Sequence, residues 1–268
     1  MVIESTQNGK IKNLVKLREA GRERKRQGLF LIEGRREINL ALKGKVEIEN
    51  IFFCSDYAKQ KSEINEEKSI EVSKKVFDKV SYRENPDGFL AVAKTREVKL
   101  EKVKLNSKPL MIILEAVEKP GNLGAILRTA DAAKADAVII NDAKTDIYNP
   151  NVIRASQGTV FTVPVILSSI EETVDFCKKN KIKIFATTPD TEKEYTQADY
   201  SGGCAIAMGT EDRGLSREWL KSADEKIKIK MHGQIDSLNV SVSTAIILFE
   251  ALRQREEKTK IDLKHLIC

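Results

Sequence analysis

Apolar and polar positions change their period near residue 100. Ahead of that point Ile11, Leu14, Val15 and Leu17 recur at helical spacing in an otherwise basic stretch, which predicts an amphipathic helix. Residues 28–34 form an apolar run between Gly28 and Gly34, the mark of a buried strand. A helix over 35–42, a strand over 48–54, a helix capped by Ser55 and Asp56, and strands at 70–73 and 88–93 complete a small α/β unit. After a polar stretch at 94–108 the pattern changes. Continuous apolar runs at 110–114 and 137–140 enclose a helix over 123–133. Further strands are predicted at 162–166, 182–186, 204–208 and 227–229, before a helix over 240–255 rich in Ala, Ile, Leu and Phe. Strands alternating with helices in this way build a parallel sheet. The fold class is therefore α/β, with a smaller unit at 1–95, a linker at 96–107 and a parallel-sheet domain at 108–268.

Composition narrows the function. The 268 residues are 41% apolar, enough for a substantial core. No apolar run approaches the roughly 20 residues that span a bilayer, and the first residues lack the layout of a signal peptide. A soluble, cytoplasmic protein is expected. Cys54, Cys177, Cys204 and Cys268 are far apart, and only His232 and His265 accompany them, so no metal site is expected and the thiols read as reduced and structural. The net charge of +6 is unevenly placed. Within 10–36, ten basic residues stand against Glu19, Glu23 and Glu33, so this segment carries +7 and the rest of the chain about −1. Such a local excess points to a polyanion. Arg22, Arg24, Lys25, Arg26 and Arg35 are the candidate RNA contacts, and a solvated basic helix explains the same run less specifically.

Three loops of the second part carry the candidate chemistry. In open α/β sheets ligands gather at the carboxyl ends of strands. The loop at 119–130 holds Pro120, Gly121, Asn122, Gly124 and Arg128; the loop at 208–216 holds Gly209, Glu211 and Gly214; the loop at 231–242 holds Gly233, Ser237, Leu238 and Asn239. Their glycines allow backbone to approach a ligand closely. Tight turns and helix caps account for any one loop, and less readily for three. No dinucleotide fingerprint, phosphate loop or nucleophile elbow is present.

At these loops the sequence resembles the SpoU/TrmH branch of the SPOUT methyltransferases. The resemblance rests on Pro120, Gly121, Asn122, Gly124 and Arg128, on Gly209, Glu211, Gly214, Leu215 and Ser216, and on Ile229, Met231, Ser237, Leu238 and Asn239, and covers about 108–257. The first part is similar to that family's substrate-binding domain, related to ribosomal protein L30e, through Ser5, Asn8 and the run from Phe30 to Gly34. The resemblance implies a trefoil knot, a homodimer, and S-adenosyl-L-methionine as cofactor, held by Thr187, Gly209, Ile229, Met231 and Leu238. It sets Asn122, Arg128, Glu211, Ser237 and Asn239 on the reaction side. Lys230 stands where the family usually has Pro between Ile and Met.

The implied activity is methyl transfer to a ribose 2′-hydroxyl of RNA, with ribosomal RNA favoured over transfer RNA. A guanidinium stays protonated in proteins, so for Arg128 the expected role is stabilising a developing alkoxide or gripping a phosphate. Glu211 is left to orient Arg128 or to accept a proton. A non-catalytic RNA-binding or ribosome-assembly protein, and a base-methylating enzyme on the same scaffold, are the alternatives.

Overall fold

The computed structural model describes residues 2–58, 68–210 and 212–267, with backbone alone for 259–267. The chain forms two compact units, Met1–Arg96 with Asp146–Thr162, and Glu97–Thr145 with Val163–Cys268.

In the first unit the basic stretch is two helices. Helix α1 (Gly9–Glu19) starts where the Asn8 side chain accepts from Lys10 N, and it buries Ile11, Leu14 and Leu17. Ala20 is extended, and α2 (Gly21–Gln27) follows, closed by Gly28 at φ 65°. A four-stranded sheet comes next, β1 (Leu29–Glu33), β2 (Ile48–Phe53), β3 (Ser69–Glu71) and β4 (Phe89–Lys94), in the order β1-β4-β2-β3. Strand β4 is antiparallel to both β1 and β2, while β3 runs parallel to β2. Helix α3 (Arg35–Lys43) follows β1. Helix α4 (Lys74–Val80), which the pattern did not predict, buries Val76, Phe77 and Val80 beside α1. The helix expected to start at Ser55 and Asp56 is a turn at 55–57, where the Tyr57 and Ala58 amides donate to Cys54 O, and residues 59–67 lie outside the described ones.

The later segment of this unit holds α6 (Pro150–Ala155) and a 3-10 turn at Thr159–Phe161. Tyr148 stacks on Phe30 with centroids 4.1 Å apart, and Phe161 lies 5.8 Å from the same ring. The Arg96 amide donates to Tyr148 Oη and its guanidinium donates to Phe161 O. Thr162 ends the turn, so the strand expected from there starts only at Val165.

The second unit is one parallel sheet. Its strands are β5 (Leu110–Glu115), β6 (Ala137–Asn141), β7 (Val165–Leu167), β8 (Lys183–Thr187), β9 (Cys204–Met208) and β10 (Glu225–Ile227), in the order β10-β8-β9-β5-β6-β7. Strands buried on both faces need continuous apolar runs, and β5, β6 and β9 have them. Helices α5 (Pro120–Ala132), α7 (Ile170–Lys179), α8 (Arg217–Ser222) and α9 (Val240–Ile267) surround it, and α5 packs against α9. Strand β10 ends two residues before the expected Ile229. Its ladder with β8 closes at Ile227, and Lys228 instead bonds Lys193 O and Tyr195 N. Near the amino ends of β5 and β9, the Arg255 guanidinium of α9 donates to the carbonyls of Lys108, Pro109, Tyr200 and Gly202. Among the described residues no helix is long and apolar enough to cross a membrane.

Candidate active site

The strand order reverses between β5 and β9, and two of the three loops leave the sheet there, while the third follows the edge strand β10. Crevices outside the carboxyl ends at such a reversal are where ligands bind in open sheets. Thr187 ends β8, Gly209 follows β9 directly, and Ile229 lies two residues past β10; β8 pairs with both other strands. Three of the five residues implied for the cofactor therefore sit at neighbouring strand ends. The Thr187 hydroxyl donates to Ala207 O at 2.9 Å. Met231 and Leu238 are half-buried in the loop that leads to α9. Lys230, in place of the usual Pro, is exposed and faces Glu194 at 4.0 Å.

Gly209 has a steric reason to be glycine. A Cβ there would overlap the backbone of Gly214 and Leu215, because the loop folds back onto its own start. Thr210 and Gly214 exchange amide–carbonyl bonds at 3.1 and 3.0 Å. Open space adjoins the α-carbons of Gly121 and Gly233. This bare backbone at strand ends suits a ligand held through main-chain groups, as the resemblance requires of S-adenosylmethionine.

The reaction-side residues come from separate elements. Asn122 lies in the first turn of α5, and Asn239 precedes α9. Asn239 Nδ2 donates to Asn122 Oδ1 at 3.1 Å across 117 residues of sequence. Asn239 Oδ1 accepts from Ser241 N at 2.9 Å, so one side chain caps the helix and also joins the two loops. Beside them a cavity of about 140 Å³ is lined by Ala116, Val117, Glu118, Lys119, Thr210, Asp212 and Val240, drawn from all three loops. Arg128 is exposed on α5 and is not hydrogen-bonded to the other described site residues. Ser237 is exposed too, its hydroxyl 3.4 Å from Asp236 Oδ1. Glu211 lies outside the described residues.

The first unit presents the basic residues unequally. Arg22 and Lys25 are exposed and make no ion pair among the described residues. Arg26 is exposed but pairs with Glu23 at 2.6 Å. Arg35 is half-buried, its guanidinium 6.0 Å from the Phe89 ring centroid. Arg24 is a correction. It is 3% exposed, pairs with Asp146 at 2.6 Å and donates to Leu17 O and Arg18 O, so its charge holds the fold and is closed to RNA. Among the described residues no group of His, Cys, Asp or Glu could hold a metal ion.

The family model described as SpoU rRNA Methylase family matches residues 109–249. The chain belongs to this family. A second model, described as MRM3-like substrate binding domain, matches residues 8–91 of the chain, where a substrate-binding domain was expected. One relative is the 23S rRNA (guanosine(2553)-2′-O)-methyltransferase RlmP of Bacillus subtilis, 32% identical over 250 residues, covering 92% of this chain and 97% of that protein. Among solved structures, an RNA 2′-O ribose methyltransferase is 42% identical with a TM-score of 0.81, over 95% of this chain and 99% of that one. An AdoMet-bound rRNA methyltransferase from Sinorhizobium meliloti is 28% identical with a TM-score of 0.85, over 94% and 97%.

Sequence reading missed Glu115 and Thr145. Both are buried, and each ties down one of the site's loops. The signal for Glu115 was an acidic residue closing an apolar strand.

Proposed function

We propose that this protein transfers a methyl group from S-adenosyl-L-methionine to a ribose 2′-hydroxyl of ribosomal RNA, in the cytoplasm. The observation that carries the reading is the Asn239–Asn122 hydrogen bond, which unites two family motifs at the carboxyl edge of the sheet. When bound, S-adenosyl-L-methionine supplies a methyl group on a sulfonium, so its leaving group is already activated. Thr187, Gly209, Ile229, Met231 and Leu238 hold the cofactor, largely through backbone. Asn122 and Asn239 orient the sugar, which converts an encounter into an aligned attack. Ser237 contributes a hydroxyl at the same loop. As the 2′-oxygen forms its bond to the methyl carbon and loses its proton, Arg128 stabilises the negative charge that develops there. Glu211 takes the proton, or orients Arg128 while water carries the proton away. Arg22, Lys25, Arg26 and Arg35 supply phosphate affinity.

The loop after β10 threads a trefoil knot in this reading, and the protein works as a homodimer. Val242, Ile246 and Phe249 recur on one face of α9, with Val242 47% and Phe249 51% exposed, an apolar stripe that suits a second copy. Sedimentation of Phe249→Glu, expected to be monomeric, tests this.

The deciding experiment incubates the full-length protein with labelled S-adenosylmethionine and unmodified 23S rRNA, then analyses the nucleosides. A 2′-O-methylated nucleoside is expected. Label on a base would replace the reading with base methylation, and RNA binding without label would leave a binding protein.

A further inference from the structure

We propose that Glu115 is a positioning residue for methyl transfer, fixing the loop at 209–216 against the sheet through the Ser216 amide. The proposal rests on the methyltransferase reading above. Leu110 to Leu114 are almost wholly buried, and a strand so enclosed would ordinarily end in an apolar or small residue. It ends instead in a carboxylate that is only 8% exposed. Burying an ionised group is costly unless it gains hydrogen bonds. Glu115 Oε2 accepts from Ser216 N at 2.7 Å, across 101 residues of sequence, and no other described residue donates to its carboxylate.

The position of that bond is what matters. Leu114 of β5 pairs with Met208 of β9, so Glu115 and Gly209 are the next residues along two adjacent strands. The loop leaves the sheet at Gly209 and closes on itself through Thr210 and Gly214. It is tied down again at Ser216, where the Ser216 hydroxyl caps α8 by accepting from Trp219 N. The segment is held by its covalent links to β9 and α8 and by the buried side chains of Leu215 and Trp219, and the Glu115–Ser216 bond adds a polar tie from β5 to its far end. Directly after Glu115, Ala116 takes φ 52°, donates to Asn141 O and turns the chain into the cavity wall. Glu115 thus ties the segment that begins at Gly209 to the one that leads to Asn122.

Displacing reacting groups by about 1 Å costs roughly 10²-fold in rate. Labelled methyl transfer to 23S rRNA should therefore show Glu115→Ala lowering kcat by about that factor and raising KM for S-adenosylmethionine. Glu115→Gln, whose amide oxygen still accepts from Ser216 N, should restore most of both. In the ligand-free protein, hydrogen exchange at the Thr210, Gly214 and Ser216 amides should quicken in Glu115→Ala and not in Glu115→Gln. Where Glu115→Ala does not fold, Glu115→Asp replaces it; its acceptor falls one methylene short, so kcat should again drop. A lowered melting temperature with unchanged kcat, KM and loop exchange would overturn the proposal and leave Glu115 a stabilising residue. An inactive wild-type protein would instead overturn the methyltransferase reading, and this proposal with it.

Discussion

At the carboxyl edge of the parallel sheet, two neutral amides, Asn122 and Asn239, are hydrogen-bonded to each other, and open space adjoins Gly121 and Gly233 in the loops nearby. The first unit is the opposite, crowded with charge. Much of that charge is answered locally: Arg24 by Asp146, Arg26 by Glu23, and both Arg36 and Arg83 by the buried Glu37. The contrast teaches that a count of basic residues overstates the surface offered to RNA. A count of charged residues in turn misses the amides and main chain that stand beside Arg128 at the other edge.

The comparison breaks most sharply at Arg128. Arg128→Ala should cut single-turnover methyl transfer by about 10²–10³-fold, the usual cost of losing one charge-stabilising donor, while S-adenosylmethionine still binds in isothermal titration. Arg128→Lys should rescue poorly, because an ammonium lacks the planar fork. Near wild-type turnover in Arg128→Ala would take the residue out of the mechanism.

A smaller effect, on a different axis, belongs to Arg24. Removing one partner of a buried ion pair costs about 3–5 kcal/mol, and Asp146, 32% exposed, puts this pair at the low end. Arg24→Gln should therefore shift the urea midpoint strongly while the salt dependence of RNA binding stays as it was. A change in that slope with an unchanged midpoint would return Arg24 to the RNA surface.

The mildest change is expected from Arg22→Gln with Lys25→Gln. Folding should be unaffected, and the log–log salt slope should fall by about 0.7–0.9 for each phosphate that is no longer neutralised. An unaltered slope would make these two residues an ordinary solvated face.

What the sequence disclosed follows the same contrast. The apolar runs at 110–114, 137–140 and 204–208 became strands almost residue for residue, because a strand enclosed on both faces tolerates little else. The glycine and asparagine loops were legible as well, since unusual backbone requires unusual residues. Short elements were not. Helix α4 has seven residues and presents only Val76, Phe77 and Val80, too few to establish a period. The break at Ala20 is marked only by Gly21, which itself becomes the first residue of α2, and α2 turns Arg24 inward. Long-range partners escaped for a simpler reason. Asp146 meets Arg24 across 122 positions and Glu115 meets Ser216 across 101, and no local pattern records such distances.

The Arg255 fastening bears on how the chain is made. A ribosome releases the amino end first, so β5 and β9 emerge while the arginine that satisfies their flanking carbonyls has yet to be translated. Arg255 follows Cys204 by 51 residues, a wait of roughly 3–10 s at about 5–20 residues per second. During that interval Pro109 O can already accept from Cys204 N, while the carbonyls of Lys108, Tyr200 and Gly202 wait for the guanidinium. The sheet can assemble early, but its fastening arrives late. A nascent chain halted ahead of residue 255 would lack this fastening at that end of the sheet.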